Sequence, residues 1–215
     1  MLARVGPPVA WMVVIAVLSG DRLAASETGS RLLPLLAFLV PGAGPPVLHG
    51  LHGLLRKLGH LVEYGILAAL WLRALSPGRS APRAAWGAIG LAAGYAVLDE
   101  ARQSLAPERS ASVLDVAVDA AGALLAVACL QAPNGLAPLG VRLLRWAATL
   151  VALGSLGTAL IDWRLGLGAW DLVLAALGAT AVAGGLYRVE HRWQATLADG
   201  APPGPGDSPL PRSGV

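Results

Sequence analysis

RKLGHLVEYG, residues Arg56 to Gly65, stands at the head of a long apolar segment. It sets two cations, a histidine and an acid where a lipid-facing helix tolerates them least. A soluble domain carries about a quarter of its residues as charges. Here only 13% are charged and 55% are hydrophobic, so the segment is read as one span of an all-α, polytopic transmembrane bundle. In such a bundle, charges at membrane depth face inward and meet partners from other helices.

The 215 residues leave room for about six spans. The pattern places them at about Gly6–Gly20, Leu58–Leu75, Ala84–Gln103, Val113–Gln131, Leu143–Ile161 and Ala169–Tyr187. Pro7 and Pro8 suit only the opening turn of the first. Arg4 before VAWMVVIAVL has the look of a signal peptide, but Asp21 and Arg22 follow without a convincing cleavage site, and a retained helix is expected. The uncharged stretch 32–55 is broken by Pro34, Pro41, Pro45 and Pro46, which points to a re-entrant or interfacial segment; a full span is the alternative and would exchange the sides of the N-terminus. From Ala195 the chain passes into a Pro- and Gly-rich tail expected to be disordered. The organisation is thus a core over 1–131, two further helices over 132–194, and a tail over 195–215.

The net charge of +3 does not suggest nucleic acid, because the cations are scattered between apolar runs and form no basic stripe. Arg73, Arg79, Arg83, Arg142 and Arg145 serve instead as topology signals, placing both termini in the cytoplasm and the chain in the cytoplasmic (inner) membrane. The single cysteine, Cys129, supports neither a disulfide framework nor a Cys-based zinc site. His49, His52, His60 and Glu63 lack the spacing of a specific metal signature, so neither metal nor cofactor is assigned.

In the second span the ionisable residues open the segment: Arg56, Lys57, His60 and Glu63. In the third they close it, as Asp99, Glu100, Arg102 and Gln103, and in the fourth Asp115 and Asp119 open it again. Alternating helix direction therefore carries all three groups to one membrane face, whichever face that is. Lys57, His60 and Tyr64 share a helix face, Asp115 and Asp119 stack one turn apart, and Gly122 extends that stripe where a neighbouring helix needs close approach.

RKLGHLVEYGIL (Arg56–Leu67) resembles the RK-x-x-H-x-x-EY-x-x-L motif of the VanZ-like family of bacterial membrane proteins. DEARQSLAPERSASVLDVAVDAAG (Asp99–Gly122) is similar to its DE-x-x-Q-x-x-x-P-x-R-x5-D-x3-D-x-x-G motif. The resemblance runs from about Trp11 to Gln131 and departs at Arg102, where the family often has histidine. It implies a four-helix core in the cell envelope and, for named members, an association with low-level resistance to teicoplanin. The two helices after Gln131 lie beyond it.

His60 and Glu63 admit two readings, an ion-pair network with Arg56 and Lys57 or an acid and base pair. Asp115 fits a capping box begun by Ser112, whereas Asp119 lies a turn deeper and escapes that role. Asp99 and Glu100 either balance Arg102 and Arg109 or hold Arg109 ready for a phosphate or carboxylate. The expected activity is recognition of a membrane lipid or a lipid-linked envelope molecule. Acid and base chemistry on an envelope lipid, or a purely structural membrane module, are the alternatives.

Overall fold

The computed structural model describes residues 2–20, 25–105, 112–132 and 136–198. Arg109 and most of the Pro- and Gly-rich tail lie outside the described residues. Those described form seven α-helices and no strand: α1 (Leu2–Leu18), α2 (Ala25–Leu39), α3 (Pro45–Leu75), α4 (Ala81–Gln103), α5 (Val113–Gln131), α6 (Leu136–Arg164) and α7 (Trp170–Ala198). Apolar side chains of α1, α3, α4, α5, α6 and α7 meet in one core, with Trp11, Tyr64, Ile66, Leu67 and Leu72 fully enclosed. This is an all-helical membrane bundle, in which every spanning helix satisfies its own backbone hydrogen bonds.

Among the described residues four helices are long and apolar enough to cross a bilayer: Pro45–Leu75, Val113–Gln131, Ala137–Arg164 and Trp170–His191. α1 is apolar but shorter, and α4, rich in Ala and Gly, carries Asp99 and Glu100 buried in its last turns. Those two account for the difference from the expected six spans.

The stretch 32–55 departs most from its sequence reading. Its prolines do not make an irregular segment: Pro45 and Pro46 occupy the first turn of α3, where a missing N–H costs nothing. Pro34 lies within α2, as Pro7 and Pro8 lie within α1 rather than opening it. The one break is the short turn between α2 and α3, where Gly42 takes φ +86°, a conformation that favours glycine. A helical hairpin results, seated where Gly29 meets the imidazole of His52. α3 runs unbroken through 31 residues, about 46 Å. The charged residues of RKLGHLVEYG therefore lie near its middle and not at its start. At the other end of the chain, α7 continues to Ala198, past the expected limit of the sixth span and into the first residues assigned to the tail.

α3 and α5 run parallel and touch directly, with α4 packed antiparallel against both. The pairing order sets this direction: Lys57 with Asp115, His60 with Asp119, and Gly65 with Gly122 and Ala126. Gly122 carries the contact. A Cβ there would strike the backbone of Leu61, so only glycine lets the two helices meet at this level.

Candidate functional site

His60 projects from α3 toward α5, where its Nδ1 lies 3.3 Å from Asp119 Oδ1. Asp119 is only 3% exposed. Although the two atoms stand at ion-pair distance, neither completes a hydrogen bond. One turn along α3 from His60, Tyr64 is 0% exposed, and its hydroxyl has no hydrogen-bond partner among the described residues. Its ring stands 6.3 Å from that of Tyr95 on α4. Half-buried Glu63 lies within electrostatic reach of His60, Asp119, Asp99 and Arg56. A buried hydroxyl with no hydrogen-bond partner among the described residues costs about 1–3 kcal/mol, so Tyr64 beside the incompletely bonded His60–Asp119 pair is unusual in a packed bundle.

Around this centre the remaining polar residues have defined partners. Lys57 Nζ donates to Asp115 Oδ1 at 2.9 Å, an ion pair at the more exposed edge. Asp99, buried on α4, accepts from Ser19 Oγ at 2.8 Å, from Gln103 Nε2 at 2.8 Å and from Arg102 at 3.0 Å. Arg102 also donates to the Ala16 carbonyl and to Ser19 Oγ, fastening the end of α4 to the end of α1. Glu100 turns toward α5 and accepts from the Ser112 backbone N–H. In the expected capping box Asp115 would have made that contact. Ser112 supplies its own half, accepting from the Asp115 N–H at 3.2 Å.

The layer read from the sequence thus divides by role. His60, Glu63, Tyr64 and Asp119 form an inner group, Lys57 and Asp115 an outer pair, and Asp99, Glu100 and Arg102 bind helix ends together, with Gln103 bonded to Asp99 along α4. Arg56 is half-buried on α3 beside Lys57, within electrostatic reach of Glu63. His49 and His52 lie earlier on α3; eight residues of helix, about 12 Å, separate His52 from His60. Among the described residues no three His, Cys, Asp or Glu side chains stand as a metal-binding group.

A family model described as VanZ/LLP1 matches residues 8–133, more than half of the chain. The chain belongs to the VanZ/LLP1 family. No curated protein and no solved structure matches it. The VanZ/LLP1 region takes in both charged motifs and nearly all of α1 to α5, while α6 and α7 follow it.

Three contributors to this VanZ/LLP1 site escaped the sequence reading. Ser19, just past α1, is buried against Asp99. Trp11 donates from Nε1 to the Glu63 carbonyl at 2.8 Å, and Tyr95 donates from its hydroxyl to the Met12 carbonyl at 2.6 Å. Tyr95 had a signal: it precedes Asp99 by one turn in a helix of small residues, on the same face. Trp11 and Ser19 had none, because nothing local tells which helix α1 will meet.

Proposed function

We propose that this VanZ/LLP1 protein recognises a lipid-linked or lipidated molecule of the cell envelope, with His60, Glu63, Tyr64 and Asp119 as the recognition group. What supports the reading is a buried polar group whose hydrogen bonding is incomplete among the described residues: His60 Nδ1 and Asp119 Oδ1 face each other at 3.3 Å without completing a hydrogen bond, and the Tyr64 hydroxyl has no hydrogen-bond partner. Together they offer donors and an acceptor suited to a hydroxyl, amide or phosphate headgroup. The apolar α2–α3 hairpin, uncharged from Leu32 to Leu55, rises beyond this group on the same helix and suits the hydrocarbon part of such a ligand. In this reading the polar layer faces the outer leaflet, the arginine-bearing α3–α4 turn faces the cytoplasm, and the host gains tolerance to teicoplanin, which acts outside the membrane.

Expression in a sensitive host tests it. Tolerance should rise above the empty-vector level and fall back with Glu63→Gln and Asp119→Asn, at unchanged expression. Tolerance equal to the empty vector would remove the teicoplanin part, and full activity of both variants would leave the charges a folding role only.

The approach of His60 to Asp119, with Glu63 one turn away, favours a second reading: acid and base hydrolysis or group transfer on an envelope lipid. A carboxylate beside an imidazole orients it, and Glu63 is within reach to exchange a proton. Lipid profiles of cells with and without the protein separate the readings. A changed lipid species that disappears with His60→Gln indicates catalysis; an unchanged profile with retained tolerance indicates binding.

A further inference from the structure

The helices beyond the family region carry a charged group of their own. Glu190 on α7 is 8% exposed, and its two carboxylate oxygens accept from two arginines of α6: Arg142 Nε at 2.9 Å and Arg145 Nε at 2.8 Å. One acid thus faces two guanidiniums and leaves a net positive charge. Each arginine uses Nε for this contact, which does not engage the terminal Nη groups of either guanidinium. Arg145 also lies over two exposed aromatic rings, with its Cζ 4.7 Å from the centroid of Trp146 and 5.7 Å from that of Tyr187.

The position matters as much as the chemistry. α5 starts at the polar layer and ends at Gln131, which donates to the Ala81 carbonyl at the start of α4. Gly140, two residues before Arg142, packs on Leu130. The Arg142–Arg145–Glu190 group therefore sits at the end of the bundle opposite to His60, and Glu190 falls at the edge of the apolar span Trp170–His191. Exposed Trp and Tyr beside it belong at headgroup depth.

We infer that Arg142 and Arg145, held by Glu190, form a binding site for the phosphate of an anionic phospholipid headgroup. A simple α6–α7 tie needs one arginine per carboxylate. The second guanidinium is surplus to that need, and a buried acid that fixes two planar forks side by side presents their outer N–H groups to a phosphodiester. The aromatic rings flank the acyl side of the headgroup. This site is independent of the reading given for His60 and Asp119.

Thermal unfolding of the full-length protein in zwitterionic micelles, with and without added phosphatidylglycerol, tests the inference; native mass spectrometry of retained lipid accompanies it. Phosphatidylglycerol should raise the melting temperature where phosphatidylcholine does not. Arg142→Gln and Arg145→Gln should each lower phosphatidylglycerol retention by about tenfold, the scale of one charge-assisted hydrogen bond, while Arg164→Gln should leave it unchanged. If a glutamine variant does not fold, Arg145→Lys, which keeps a charge for Glu190 but loses the fork, should show the same reduction. Equal retention of both lipids, equal retention by Arg145→Lys, or a melting shift given by inorganic phosphate but not by phosphatidylglycerol overturns the lipid assignment.

Discussion

At the scale of single residues, Gly122 and Asp99 bear the sharpest expectations. Gly122→Ala sets a Cβ against the Leu61 backbone, which cannot swing aside as a side chain can. It should cost about 1–3 kcal/mol, the usual range for overpacking. Gly154→Ala on α6, with open space around it, should stay within about 0.5 kcal/mol of the parent. Unfolding of the two variants side by side in detergent measures the contrast. Asp99→Ala leaves Ser19, Gln103 and Arg102 without their shared acceptor and should cost about 1–3 kcal/mol, whereas Asp99→Asn, which keeps one oxygen, should cost less. The close approach at Gly122 was legible because helical periodicity states which residues share a face, although not that α3 is the helix that makes it. Partners drawn from α1 were not: Ser19 and Trp11 sit far along the chain from Asp99 and Glu63, and no local pattern encodes that docking.

Among the elements, α3 and its hairpin depart furthest from a local reading. Four prolines between residues 34 and 46 suggested broken backbone, yet a proline in a first helical turn initiates a helix as readily as it interrupts one elsewhere. Which of the two it does depends on the position of the turn, and Gly42 with Gly44 supplied that signal here. The spans were read more accurately where the pattern was least interrupted, as in α5, whose limits Val113 and Gln131 match expectation. The hairpin exposes Leu35, Leu39 and Val47, and Phe38 is 80% exposed. An uncharged helical surface of this kind belongs in or on a bilayer. With Cys129 replaced by serine and Phe38 by cysteine, a fluorophore at position 38 should be quenched strongly by lipids bearing acyl-chain quenchers. Quenching by aqueous iodide alone would place the hairpin in water.

Over the whole molecule, the family region and the two added helices are packed as one body. Gly178 of α7 rests on Val14 of α1, and α6 rests on the end of α5. A chain ending after Gln131 should therefore keep the His60–Asp119 pairing but melt at a lower temperature, with faster amide exchange in α1 than in α3. Unchanged exchange in α1 would make α7 dispensable for its docking. The membrane class and the parallel arrangement of α3 and α5 followed from composition and alternation, since both depend on summed properties of many residues. The pairing of Arg142 and Arg145 with Glu190 did not, because arginines near a helix end serve equally well as topology signals.

The contact of Val14 with Gly178 joins the first helix to the last. Nascent chains emerge N-terminus first, so α1 is made and inserted well before the residues of α7 exist. Until α7 is made, part of the packing surface of α1 has only lipid, or an insertion factor, for company. Closure of this bundle accordingly waits for α7, and products truncated before it should be the ones that quality-control proteases remove first.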